Sequence, residues 1–117
     1  MARVVAFIPD LLFGSNVFGA LQAAGHEPVL VSGVESLATE LQGARVLIVD
    51  LTADAGERIE QIEAMPLDPV RTLAFYSHVE VDVRARAEEA GFDLVVPRSR
   101  MAREGGALVD RLLDAGA

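Results

Sequence analysis

Short, almost wholly apolar runs alternate along the chain with longer stretches in which apolar residues recur every three or four positions. The first run, Arg3 to Ile8, has the continuous hydrophobicity of a strand covered on both faces, and Pro9 ends it by removing an N–H donor. A loop over Asp10 to Gly14 follows, and Ser15 or Asn16 is the expected cap of a helix whose face is Val17, Ala20, Leu21 and Ala24. Gly25 is its left-handed stop. Pro28 to Val31 is a second strand. Ser32 and Glu35 have capping-box spacing ahead of a helix lined by Val34, Leu37, Ala38 and Leu41, which Gly43 stops.

Arg45 to Asp50 holds Val46-Leu47-Ile48-Val49, the strongest buried-strand pattern in the chain. Asp54 and Glu57 repeat the capping pattern before Ile59, Ile62 and Met65, and Pro66 ends that helix. Arg71 to Tyr76 is the fourth strand. Val79 to Ala90 is a helix lined by Val83, Ala87 and Ala90, with Gly91 as its stop. Asp93 to Val96 is the fifth strand, cut off by Pro97, and a last helix runs from about Arg103 to Asp114 through Leu108, Val109, Leu112 and Leu113. Gly105-Gly106 blurs its start, since a glycine inside a helix costs about 1 kcal/mol.

Five strand-then-helix units with short connections predict an α/β fold, a parallel sheet with right-handed crossovers and helices on both faces. The 117 residues suit one domain, 1–117, and 51% apolar residues argue against disorder. Lys and Arg number 10 against 18 Asp and Glu, a net charge of −8, which disfavours nucleic acid and anionic membranes as partners. No apolar run approaches the roughly 18 residues of a bilayer span, and the apolar start is too short for a signal peptide. There are no cysteines, so a cytoplasmic location is the expectation.

In such sheets ligands bind at the carboxyl ends of the strands. The residues falling there are Asp10, Ser32, Asp50, Ser77, His78 and Arg98. Leu47-Ile48-Val49-Asp50-Leu51 resembles the end of the third strand in response-regulator receiver domains. Leu21-Gln22-Ala23-Ala24-Gly25-His26-Glu27-Pro28-Val29 is similar to that family's passage from first helix to second strand, and Ala90-Gly91-Phe92-Asp93-Leu94-Val95-Val96 to its entry into the fifth strand.

The resemblance implies a flavodoxin-like (βα)5 fold with strand order 2-1-3-4-5, and it puts Asp50 in the phosphoacceptor position. The acidic pair that anchors Mg²⁺ in receivers falls on Ile8 and Pro9, with Asp10 one residue beyond. The fifth-strand lysine falls on Arg98, a planar fork in place of a point ammonium. The hydroxyl position falls on Tyr76 or Ser77. These departures imply an atypical receiver, or pseudo-receiver: not an enzyme, without a cofactor or metal, acting by contact with a signalling protein partner. A homodimer is among the partners the resemblance allows. The contact surfaces it implies are the carboxyl edge and the face formed by the fourth helix, fifth strand and fifth helix. The expectation is that no output segment is fused to it, so that its output depends on another chain. Two rival expectations stand beside this one. A true receiver would be phosphorylated on Asp50, with Mg²⁺ held by Asp10 and Asp50. A small-anion sensor would use Arg98, Arg100 and Ser77.

Arg98 is the expected partner of Asp50, holding the edge in one state without phosphate, and a partly buried pair there is costly to break from one side. Ser77, His78 and Asp50 do not make a hydrolytic triad, because adjacent residues rarely bond side chain to side chain and no Gly-x-Ser-x-Gly elbow is present. His26 and His78 lack metal-ligand spacing, and His26 beside Gly25 suits a helix C-terminus. Leu11-Leu12-Phe13-Gly14-Ser15-Asn16 has too little glycine and no lysine for a phosphate cradle. Its Leu11, Leu12 and Phe13 are a plug over the carboxyl edge, a contact patch, or core. Arg84 and Glu88 have the spacing of a solvated helical pair. Arg98-Ser99-Arg100-Met101-Ala102-Arg103 gathers three arginines into an acidic chain, either as an anion or partner site or as ordinary surface charge.

Overall fold

A computed structural model of the chain describes residues 2–77 and 79–115. The strands are β1 (Arg3–Phe7), β2 (Glu27–Val31), β3 (Val46–Asp50), β4 (Arg71–Tyr76) and β5 (Leu94–Pro97), and each is followed by a helix. The helices are α1 (Leu11–Ala23), α2 (Val34–Glu40), α3 (Ala55–Glu63), α4 (Val81–Glu89) and α5 (Arg98–Ala115). All strand pairings are parallel, in the order β2-β1-β3-β4-β5.

The continuous apolar runs are explained by two cores, one on each face of the sheet. Along β1, Val4 and Ala6 face α1 and α5 with Phe13, Val17, Leu21 and Leu108, while Val5 and Phe7 face the other way with Leu37, Ile59, Ile62 and Val83. Strand side chains alternate faces, so only a run apolar at every position fills both cores.

The structure corrects several boundaries. Asp10 itself caps α1: its Oδ1 accepts from the Phe13 N–H at 3.1 Å, so the helix opens at Leu11, not at Ser15 or Asn16. Gly14 therefore lies inside α1, not in a loop. A Cβ there would stand 2.9 Å from a Leu30 methyl, so the missing side chain lets the helix close on β2. The Ser32–Glu35 capping box does not form; Gly33 is the cap residue and has no side-chain bond. Asp54 precedes α3 but caps nothing, being held in the left-handed region at φ 51°.

Strand β2 starts one residue earlier than its apolar run, at Glu27, and α4 starts two residues later than expected, at Val81. Pro97 does not cut β5 off but ends it, paired opposite Tyr76 on an edge strand where a missing N–H is tolerated. The largest difference is α5, which begins at Arg98 and carries Gly105-Gly106 in its interior. A Cβ on Gly106 would lie 3.0 Å from Ala24 Cβ, so close approach of α1 and α5 offsets the lost helix propensity. Gly25, Gly43 and Gly91 all take positive φ, as helix stops require. No helix among the described residues is long and apolar enough to cross a membrane.

Candidate functional site at the carboxyl edge

Asp50 is the last residue of β3, and its side chain is only 5% exposed. A buried carboxylate needs donors and a counter-charge. The backbone turns at once after the strand, so Thr52 folds back over it. The Thr52 N–H donates to Asp50 Oδ1 at 2.8 Å and the Thr52 hydroxyl donates to the same oxygen at 2.5 Å. The counter-charge comes from Arg58, in the first turn of α3. Its Nη1 donates to the Asp50 main-chain carbonyl at 2.6 Å and stands 4.0 Å from the carboxylate. The guanidinium also lies 5.6 Å from the centre of the Phe7 ring.

Arg98 does not pair with Asp50. Its Nη2 is 3.6 Å from Asp10 Oδ2, and its guanidinium covers the Phe13 ring at 4.5 Å. The reason is the early start of α1 and α5: both helices open at the edge, so the cap residue of one meets the first residue of the other. Asp10 is thus engaged twice, by the Phe13 N–H and by Arg98. Ile8 is fully buried in the core shared with α1 and α5. Among the described residues no three His, Cys, Asp or Glu side chains are grouped to hold a metal ion.

Beside Asp50 lies an open hollow of about 560 Å³ lined by Phe13, Thr52, Ser77, Arg98, Ser99 and Ala102. Of the two hydroxyl candidates, Ser77 opens on this hollow, whereas Tyr76 packs into the opposite core. The leucine run is divided. Leu11 and Leu12 are 70% and 76% exposed, while Phe13 is buried against Phe75, ring centres 5.0 Å apart. Val79 and Val81, after β4, are also exposed apolar side chains at this edge. Ser32 follows β2 on the far side and lines a separate cleft with Pro9 and Arg58.

His78 lies outside the described residues, and with it the Ser77-His78 pair. His26 sits away from this edge. Its Nε2 is 2.7 Å from Asp110 Oδ1 on α5, and its buried Nδ1 has no partner. Arg84 and Glu88 form the expected i, i+4 pair at 3.7 Å. Arg100 and Arg103 both reach Glu104, at 3.4 and 3.8 Å.

Sequence reasoning missed Arg58. The available signal was its place in the first turn of the helix after β3, where a long side chain can reach back to the strand end.

No family model matches the chain, and no curated protein matches it by sequence. Its likeness is to solved structures. A response regulator from Thermotoga maritima aligns over 97% of this chain and 98% of its own at a TM-score of 0.82 and 14% identity. The receiver domain of a Francisella response regulator covers both chains completely (100% of each) at 0.84 and 9% identity. A CheY-like protein (tadZ) from Pseudomonas aeruginosa covers 96% of this chain and 93% of its own at 0.76 and 18% identity. The chain therefore has the fold of response-regulator receiver domains, with the flavodoxin-like strand order the sequence resemblance implied.

Proposed function

We propose that this chain is a cytoplasmic, receiver-like module of two-component signalling that acts by contact with partner proteins, without ordinary Mg²⁺-dependent phosphorylation of Asp50. The observation that carries this reading is that protein groups engage Asp50: Thr52 donates twice to Oδ1, and Arg58 bonds the main-chain carbonyl and stands 4.0 Å from Oδ1. Phosphoryl transfer to an aspartate needs a divalent ion bridging acceptor and phosphoryl oxygens. Mg²⁺ in turn needs at least one free carboxylate. Of the three positions around the receiver anchor, Ile8 is buried hydrocarbon, Pro9 offers no side-chain ligand, and Asp10 is engaged by Phe13 and Arg98. These residues do not fit a magnesium site.

On this reading the chain is not an enzyme and uses no cofactor. The exposed Leu11 and Leu12 where α1 begins, and Val79 and Val81 where α4 begins, support contact with another protein at the carboxyl edge. The test is incubation with Mg²⁺ and acetyl phosphate followed by intact mass measurement. The expected result is an unchanged mass. A gain of one phosphoryl group that Asp50→Asn abolishes would establish the chain as a working receiver and overturn the proposal.

A further inference from the structure

Away from the carboxyl edge, the seam between α3 and α4 is not closed. Two clefts of about 330 Å³ each adjoin there and share Glu63 and Ala90. One is lined by Ile62, Met65, Leu67 and Phe92, the other by Gly56, Ile59, Glu60, Arg86 and Glu89. Together they make a groove along α3, whose 9 residues span roughly 13 Å, two to three turns of a facing helix. Its floor is apolar: Ile59, Ile62 and Phe92 are buried, with Met65 and Leu67 half-buried beside them.

Its rim is acidic. Glu60, Glu63 and Glu89 are exposed and form no ion pair among the described residues, whereas Glu88 is occupied by Arg84. Arg86 closes the end nearest the carboxyl edge, its Nη2 lying 2.6 Å from where a Gly56 Cβ would stand. Glycine at 56 is what lets that guanidinium settle there, and the groove stays open toward Phe92.

An apolar floor between unpaired carboxylates is complementary to a helix with one apolar stripe and flanking cations. We propose that the α3/α4 groove docks a basic amphipathic helix of a partner protein, distinct from any contact at the carboxyl edge. The proposal rests on the reading of the chain as a partner-binding module, but it uses none of the residues around Asp50.

The probe is a synthetic helix-forming peptide with leucine at i, i+3, i+4 and i+7 and lysine at the flanking positions, titrated against ¹⁵N-labelled protein. Two control peptides replace either the lysines by glutamate or the leucines by serine. The expected result is saturable shifts at Ile59, Ile62, Glu63, Ala90 and Phe92 with the first peptide. Both controls should bind at least about tenfold more weakly, as should the first peptide to the Glu63→Lys/Glu89→Lys variant. Those two side chains are exposed, so the variant is expected to fold, which its own spectrum checks. Asp50→Asn should bind the peptide like the unaltered protein, so this titration and the phosphorylation test fail independently. Absent shifts, shifts centred on the carboxyl edge, equal binding of a control peptide, or unchanged affinity of the reversed variant would each overturn the proposal. So would groove shifts that grow with protein concentration before peptide is added, because the occupant would then be a second copy of this chain.

Discussion

Arg58→Met tests the engagement of Asp50 most quantitatively. Methionine keeps the apolar stem along Phe7 and removes the cation, along with the 2.6 Å bond to the Asp50 carbonyl. Removing one partner of a buried pair costs about 3–5 kcal/mol when the other is left alone. Here Asp50 keeps both Thr52 donors, and the charge separation of 4.0 Å is long, so the loss is smaller. A charge-assisted hydrogen bond contributes about 1.5–3 kcal/mol, which places the total near 2 kcal/mol. At roughly 4 °C per kcal/mol for a domain of this size, Tm falls by about 8 °C.

Asp50→Asn keeps the main-chain carbonyl for Arg58 and an oxygen for Thr52, and should cost only about 1 kcal/mol. If Arg58 acts on the carboxylate as well as on the carbonyl, the double variant loses about 2 kcal/mol, not the sum of about 3, a coupling of about 1 kcal/mol. Urea unfolding of all four proteins measures this directly. An Arg58→Met protein within about 0.5 kcal/mol of the unaltered one, or strictly additive losses, would refute the reasoning.

Other predictions concern the boundaries that the structure redrew. Asp54 holds φ 51° and caps nothing, so Asp54→Gly should stabilise the protein by about 0.5–1 kcal/mol in urea unfolding. Asp10→Ala removes the α1 cap and should cost about 1 kcal/mol, with Asp10→Asn costing less because asparagine also caps. Gly106→Val drives a side chain into Ala24, 3.0 Å from the new Cβ, and should cost about 1–3 kcal/mol despite the gain in helix propensity over glycine.

What the sequence made legible was whatever depends on pattern. Five strands alternating with five helices follow from apolar runs alternating with helical periodicity, because a parallel strand buried on both faces is apolar throughout. The sheet order β2-β1-β3-β4-β5 was implied by the resemblance to receiver domains, not by the pattern. Boundaries were hidden where a residue type had two uses. Asp10 reads as loop beside Pro9, yet it is a cap. Gly14 and Gly106 read as breaks, yet each is a contact point between packed elements. At the edge, Asp50 was legible because a strand end fixes its position by counting. Its counter-ion was not, because Arg98 and Arg58 both follow strands and only the helix starts decide which one arrives. Once α5 opens at Arg98 against the α1 cap, that arginine is held by Asp10, and the one eight residues beyond Asp50 meets the strand end.

Protein groups already hold Asp50 at Oδ1 and at its main-chain carbonyl, and they hold Asp10 at both carboxylate oxygens, where a metal would need them free. A crystal structure grown from Mg²⁺ and beryllofluoride tests this central claim most directly. The expected structure has the Asp50 carboxylate still bonded to Thr52 beside Arg58, with Asp10 still on Arg98. A hydrated cation bridging Asp10 and Asp50, with beryllofluoride on the Asp50 carboxylate, would contradict it.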